Sequence, residues 1–239
     1  MSGHSKWNNI KRKKEKTDAA RAKIFTKIGK EMTVAIRAGG PNPESNYKLR
    51  ELIAKAKANN VPNDNIERAI KKFKDSDVVY EEITYEGYGP AGVAVIVEAA
   101  TDSRNRTAGD VRHYFSKCGG NLGAVGCVAF MFTDMGLITF EDEDGDIDEE
   151  ALMEAALEAG AADFKGEEGV YEIYTECDDL EAVVEALAAQ GYKATTSEKT
   201  KVPSSYVSID DEAAASMEKL LDYLDECEDV PAVYHNWEA

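Results

Sequence analysis

The side chains best suited to chemistry in this chain are cations, and the chemistry they suit is phosphate binding. The first thirty residues, MSGHSKWNNIKRKKEKTDAARAKIFTKIGK, hold Lys6, Lys11, Arg12, Lys13, Lys14, Lys16, Arg21, Lys23, Lys27 and Lys30 against Glu15 and Asp18 alone. Lysine and arginine neutralise phosphates and release condensed counterions, so a polyanion held this way is lost steeply as salt rises. Trp7, set among these charges, could stack on an unpaired base or tuck onto the folded body instead. A second basic locus is TDSRNRTAGDVRHYFSKCGGNLG, with Arg104, Arg106, Arg112 and Lys117. It is either a second contact surface for the same polyanion or a set of internal ion pairs.

What makes these cations informative is the charge of the remainder. Met1 to Asp75 carries 19 basic and 8 acidic residues, a net of +11, whereas Ser76 to Ala239 carries 9 basic and 38 acidic, a net of −29. Segregation this sharp gives one end that seeks polyanions and a body that avoids them, and nucleic acid is the polyanion expected.

Other chemistries find little support. The four cysteines (Cys118, Cys127, Cys177, Cys227) and three histidines (His4, His113, His235) lack zinc-site spacing and read as ordinary residues of a reducing compartment. Gly120, Gly123 and Gly126 follow a helix and precede a strand, the reverse of the dinucleotide fingerprint, and no phosphate-loop G-K-[ST] occurs. The acidic run Glu141–Glu150 resembles a calcium loop, but from Asp142 its glycine falls at the fourth place rather than the sixth. No catalytic constellation, cofactor or metal is expected. Neither a membrane-length apolar run nor a secretory h-region is present, so the expected location is the cytoplasm, with no membrane partner.

The elements that must position the cations begin as helices. Ile24, Ile28, Met32, Ala35 and Ile36 fall on one helical face, and Lys23, Lys27 and Lys30 on another. A second helix is predicted from Asn42 as N-cap and Pro43 at its first position, with Leu49, Leu52, Ile53 and Ala56 inward. A third, from Asn63 or Asp64, turns Ile66, Ala69, Ile70 and Phe73 inward and Asn65, Arg68, Lys71 and Lys72 outward. The helices flanking Asn59–Pro62 could form a helix-turn-helix, although packing without groove reading is the commoner outcome.

After Lys74–Asp77 the pattern changes to strands. Glu82–Tyr88, Val93–Ala99 and Cys127–Thr133 read as strands around a helix from Arg104 to Lys117. Strands at Leu137–Phe140, beside the Gly166–Gly169 turn and at Lys193–Glu198, with helices at Asp148–Ala159 and Leu180–Gln190, give the β-α-β-β-α-β order of a ferredoxin-like module. The tail reads as strand Tyr206–Ile209, helix Glu212–Glu226 and strand Val233–Asn236, which would complete the earlier β-α-β. The expectation is an α+β chain: a basic three-helix domain with its arm (1–77), then two ferredoxin-like α/β modules, one split (78–133 with 204–239) and the other inserted in it (134–203).

The stretches GHSKWNNIKRKKEKTDAARAKIFTKIGKEM, NNVPNDNIERAIKK and TDSRNRTAGDVRHYFSKCGGNLGAVGCVAFMF resemble the YebC/PmpR family in order and spacing, over essentially the whole chain. Cys118 and Cys127 depart from the polar or small residues expected in many relatives. The resemblance implies a cytoplasmic three-domain protein that regulates transcription by binding DNA. Mitochondrial relatives known as translational activators imply an alternative, binding to ribosomal RNA on the ribosome. The acidic α/β domains would then face a protein partner or orient the arm.

Overall fold

The computed structural model describes residues 18–59, 61–74, 77–142, 145–167 and 169–238. These fold as three helices followed by two four-stranded antiparallel sheets, each with a pair of helices, and divide into two compact units. One comprises the described residues up to 132 with those from 203 onward, the other the described residues of 133–202.

Helices α1 (Asp18–Gly39), α2 (Tyr47–Ala58) and α3 (Asn63–Lys74) bury the stripes their periodicity marks. Ile28, Met32, Ala35 and Ile36 of α1 meet Leu49, Leu52 and Ala56 of α2 and Ile66 of α3, with Phe73 packed alongside. Gly29 is required for that last contact, since a Cβ there would lie 2.8 Å from the Phe73 ring. The α1–α2 corner differs from the sequence expectation. Asn42 Oδ1 accepts from Glu44 N (3.1 Å) and shapes a turn, while the N-cap of α2 is Asn46. Buried Asn46 accepts from Leu49 N (3.1 Å) and donates through Nδ2 to Ala35 O (2.8 Å) and Gly40 O (2.7 Å). One amide thus starts α2 and closes the end of α1, where carbonyls lack helical partners.

The first sheet has the order β3-β1-β2-β8, from β1 (Glu81–Tyr88), β2 (Ala94–Thr101), β3 (Asn121–Leu122) and β8 (Ala232–His235). Helices α4 (Arg104–Lys117) and α7 (Asp211–Glu226) pack on one face through Val95, Val97, Val111, Phe115, Met217, Leu220 and Leu224. Ala94, Ile96 and Val128 form a smaller core on the opposite face. Strand β2 is therefore buried on both sides, which is why it reads as a continuous apolar run rather than an alternation.

Two expected strands are replaced here. Residues 127–131 form a loop ending in a single 3₁₀ turn, Ala129–Met131. The carboxylate of buried Glu86 on β1 accepts from the amides of Gly126 (2.7 Å), Val128 (2.9 Å) and Ala129 (2.8 Å), which a strand would have given to a neighbouring chain segment. The third strand is instead the two-residue β3, paired with Gly87 and Tyr88. Around 206–209 there is one parallel bridge, Val207 with Trp237, rather than a strand.

The second unit contains β4 (Phe132–Glu141), α5 (Glu149–Glu158), β5 (Asp163–Glu167), β6 (Val170–Thr175), α6 (Leu180–Ala189) and β7 (Thr196–Pro203). Its sheet order, β5-β6-β4-β7, is that of the ferredoxin-like fold. Ile138, Phe140, Tyr171 and Ile173 face Leu152, Ala156, Val183 and Leu187 of the two helices. The final strand begins three residues later than the sequence pattern places it.

In the first unit the chain leaves at Met131 and returns at Ser204, whose amide donates to Met131 O at 2.8 Å. Joining these points should leave a foldable remainder. Replacing residues 133–202 by a short Gly/Ser linker is expected to give a monomer with one cooperative urea transition. Aggregation of the shortened chain would contradict this division.

Candidate nucleic-acid interface

The i, i+4, i+7 spacing of Lys23, Lys27 and Lys30 puts all three on one side of α1. That side meets the end of α7 and the turn leading to β8. Lys23 Nζ pairs with Glu226, Lys27 Nζ donates to Asp225 O (2.5 Å), and Lys30 Nζ lies 2.7 Å from Asp229 Oδ1. The pairs become more enclosed along the row. Side-chain exposure is 39% and 69% for Lys23 and Glu226, but 13% and 7% for Lys30 and Asp229.

Asp229 is the centre of this contact. Its Oδ2 accepts from Arg106 Nη2 (2.7 Å), Thr107 Oγ1 (2.7 Å) and Thr101 Oγ1 (3.2 Å), and its carbonyl accepts from Ala100 N (2.8 Å). Burial pushes the carboxyl up, but hydrogen bonds from Lys30, Arg106 and Thr107 outweigh it and hold the group down at about 2. Two residues read from separate basic loci, Lys30 and Arg106, thus converge on one acid. Arg106 also reaches Asp102 (2.8 Å), and its hydrogen bonds to Asp229 and Asp102 raise its already high pKa.

The remaining candidates divide. Lys6, Trp7, Lys11, Arg12, Lys13 and Lys14 lie outside the described residues, and Arg21 falls at the start of α1. Arg104 Nε is 3.4 Å from Glu81, Lys117 sits over the Tyr223 ring at 4.3 Å, and Arg112 is exposed on α4. On α3, Arg68, Lys71 and Lys72 are exposed. Among the described residues no group of three or more His, Cys, Asp or Glu is placed to hold a metal ion, and no helix is long and apolar enough to cross a membrane.

Sequence reading missed the acids that organise this region. Asp229 stands in CEDVP amid many other carboxylates, and Glu86 occupies a place in β1 that alternation alone would leave outside. For Glu86, burial pushes the carboxyl up, yet the three amide hydrogen bonds prevail and lower it. The one available signal was at α7, whose last five residues carry Asp222, Asp225 and Glu226 with no base, against the preference of a helix C-terminus for cations.

A basic helical segment docked on a split α/β sheet, with a second ferredoxin-like unit, defines a multidomain protein with a cationic start and an acidic body. Residues 5–76 match the model described as "TACO1/YebC protein N-terminal domain", and residues 80–237 match "TACO1/YebC second and third domain". The chain belongs to the TACO1/YebC family. It is 56% identical over 240 residues to "Probable transcriptional regulatory protein ORF2U" of Hathewaya histolytica, spanning 100% of this chain and 97% of that one. A "Probable transcriptional regulatory protein" of Clostridium botulinum is 55% identical with the same coverage. Among solved structures, a conserved hypothetical protein, Aq1575, from Aquifex aeolicus shares the fold at a TM-score of 0.83 and 47% identity, over 93% of this chain and 92% of that chain.

Because the folded-state pKa of Asp229 is depressed from the ordinary 3.8 to about 2, its contribution is present above about pH 4 and is lost as pH falls through about 2. At ~1.36 kcal/mol per pKa unit the difference is roughly 2 kcal/mol. Asp229→Asn should therefore lower unfolding free energy by about 2 kcal/mol at pH 7, with the deficit closing toward pH 2. Urea titrations of both proteins across this range measure it, and a pH-independent difference would contradict the assignment.

Proposed function

We propose that this regulator acts without catalysis, by binding nucleic-acid phosphate through its basic N-terminal third, in the cytoplasm. The observation that carries this reading is the charge division, +11 before Ser76 against −29 after it. We assign the contact to cations that lie exposed rather than to those already paired. Lys23, Lys30 and Arg106 are engaged by carboxylates and Lys27 chiefly by the Asp225 carbonyl, whereas Arg68, Lys71 and Lys72 are exposed on α3. Together with Lys6, Lys11, Arg12, Lys13 and Lys14, and with Trp7 as a stacking group, the α3 cations form the proposed primary contact. Arg112 extends it on α4.

The relatives' name supports duplex DNA and transcription as the target. A second reading, ribosomal RNA and translation, draws on the acidic body. Long duplex phosphate repels a −29 segment, while a short run of cations suits a narrow phosphate-lined cleft. On either reading the acidic α/β domains are the surfaces available to a protein partner.

Side-by-side titration of purified ribosomes and genomic duplex fragments near ~150 mM salt separates the two, because nonspecific duplex binding there is weak, with Kd about 10⁻⁴ to 10⁻⁶ M. Transcriptional action predicts tight binding to a subset of fragments, and translational action predicts tight ribosome binding with only weak duplex binding. In both cases replacing Lys11, Arg12, Lys13 and Lys14 by Ala should weaken the complex at least ~10-fold and flatten its salt dependence. A chain that binds neither polyanion, or is indifferent to these four changes, would contradict the proposal.

A further inference from the structure

The end of α7 is built against the usual electrostatics of a helix. Its last five residues carry Asp222, Asp225 and Glu226, where the helix dipole already places partial negative charge, and Glu228 and Asp229 follow. Three of these acids meet α1: Glu226 pairs with Lys23, Asp225 takes Lys27 through its carbonyl and, at 3.5 Å, its Oδ1, and Asp229 pairs with Lys30. Carboxylates spaced along a lysine row resemble, in charge and hydrogen bonding, the successive phosphates of a nucleic-acid strand.

We propose that Glu226 and Asp225 are internal stand-ins for phosphate, masking the outer end of the α1 lysine row until a nucleic-acid strand displaces them. This rests on the nucleic-acid reading above and adds a second, conditional contact surface to it. The exposure gradient sets which pairs exchange. Lys23–Glu226 is open to solvent, and an exposed ion pair is weak and screened by salt, so a phosphate can replace it without moving α1. Lys27 is enclosed, with 9% side-chain exposure, and keeps its contact with the Asp225 carbonyl; only its 3.5 Å contact with the Asp225 carboxylate, 51% exposed, is open to exchange. Lys30 stays where it is, because Asp229 is buried and also binds Arg106 and Thr107. The inner pair keeps α1 docked while the outer lysines change partners.

The experiment measures binding of the full chain to a single-stranded RNA homopolymer as a function of salt. Each phosphate contact contributes about 0.7 to the slope of log K against log salt for single strands. The double variant Asp225→Asn, Glu226→Gln should bind more tightly and steepen that slope by about 0.7 to 1.4, one to two added phosphates. A control with the same charge change elsewhere on α7, Glu212→Gln with Glu218→Gln, should leave the slope as in the parent. Adding Lys23→Gln should reduce the slope in the unmasked variant by more than it does in the parent. Equal slopes for the unmasked variant and its control would overturn the masking inference alone. Absence of binding by all of these proteins would overturn the nucleic-acid reading, and masking with it.

Discussion

A carboxylate removed from water is tolerated only where enough donors replace its hydration, and Asp229 meets that condition with Lys30, Arg106, Thr107 and Thr101. These donors come from α1, from the first turn of α4 and from the end of β2, while Asp229 itself belongs to the turn between α7 and β8. One side chain therefore ties four separate segments of the first unit. A buried ion pair contributes less to net stability than to choosing one arrangement, because losing either partner leaves an uncompensated charge. Here the arrangement chosen is the seat of the basic helical segment on the first sheet.

That seat changes how the charge of the chain should be counted. The sequence presents a cationic third and an acidic remainder, but part of each is spent on the other inside one unit. Glu86 shows the same use of an acid in a different form, since its partners are three backbone amides rather than lysines. Glu31 marks the opposite limit. Burial pushes its carboxyl up, with Lys55 at 3.4 Å as the opposing influence. The acidic remainder is thus more than a solvated coat, and its buried members fix a loop and a helix.

Much of this architecture was legible from periodicity. The stripes of α1, α2 and α3 are the residues that meet in their core, and α4 spans the residues its pattern marks, from Arg104 to Lys117. What escaped was decided by contacts between distant residues. Asn42 looks like an N-cap by type and by the proline after it, but Asn46 can also reach the carbonyls of Ala35 and Gly40. Cys127–Thr133 has strand composition, yet Glu86, some forty residues earlier, takes its amides. The lysine row of α1 was visible in the sequence, whereas its carboxylate partners, roughly two hundred residues away, carried no local mark.

The most direct test of this account is a double-mutant cycle on Lys30 and Asp229, using Lys30→Gln and Asp229→Asn singly and together, with stability read from urea unfolding at pH 7. Residues sharing one buried charge network are expected to couple by about 1 to 3 kcal/mol, the double variant losing less than the sum of the singles. Additivity within ~0.3 kcal/mol would mean that Asp229 does not hold α1 in place, and would contradict the account.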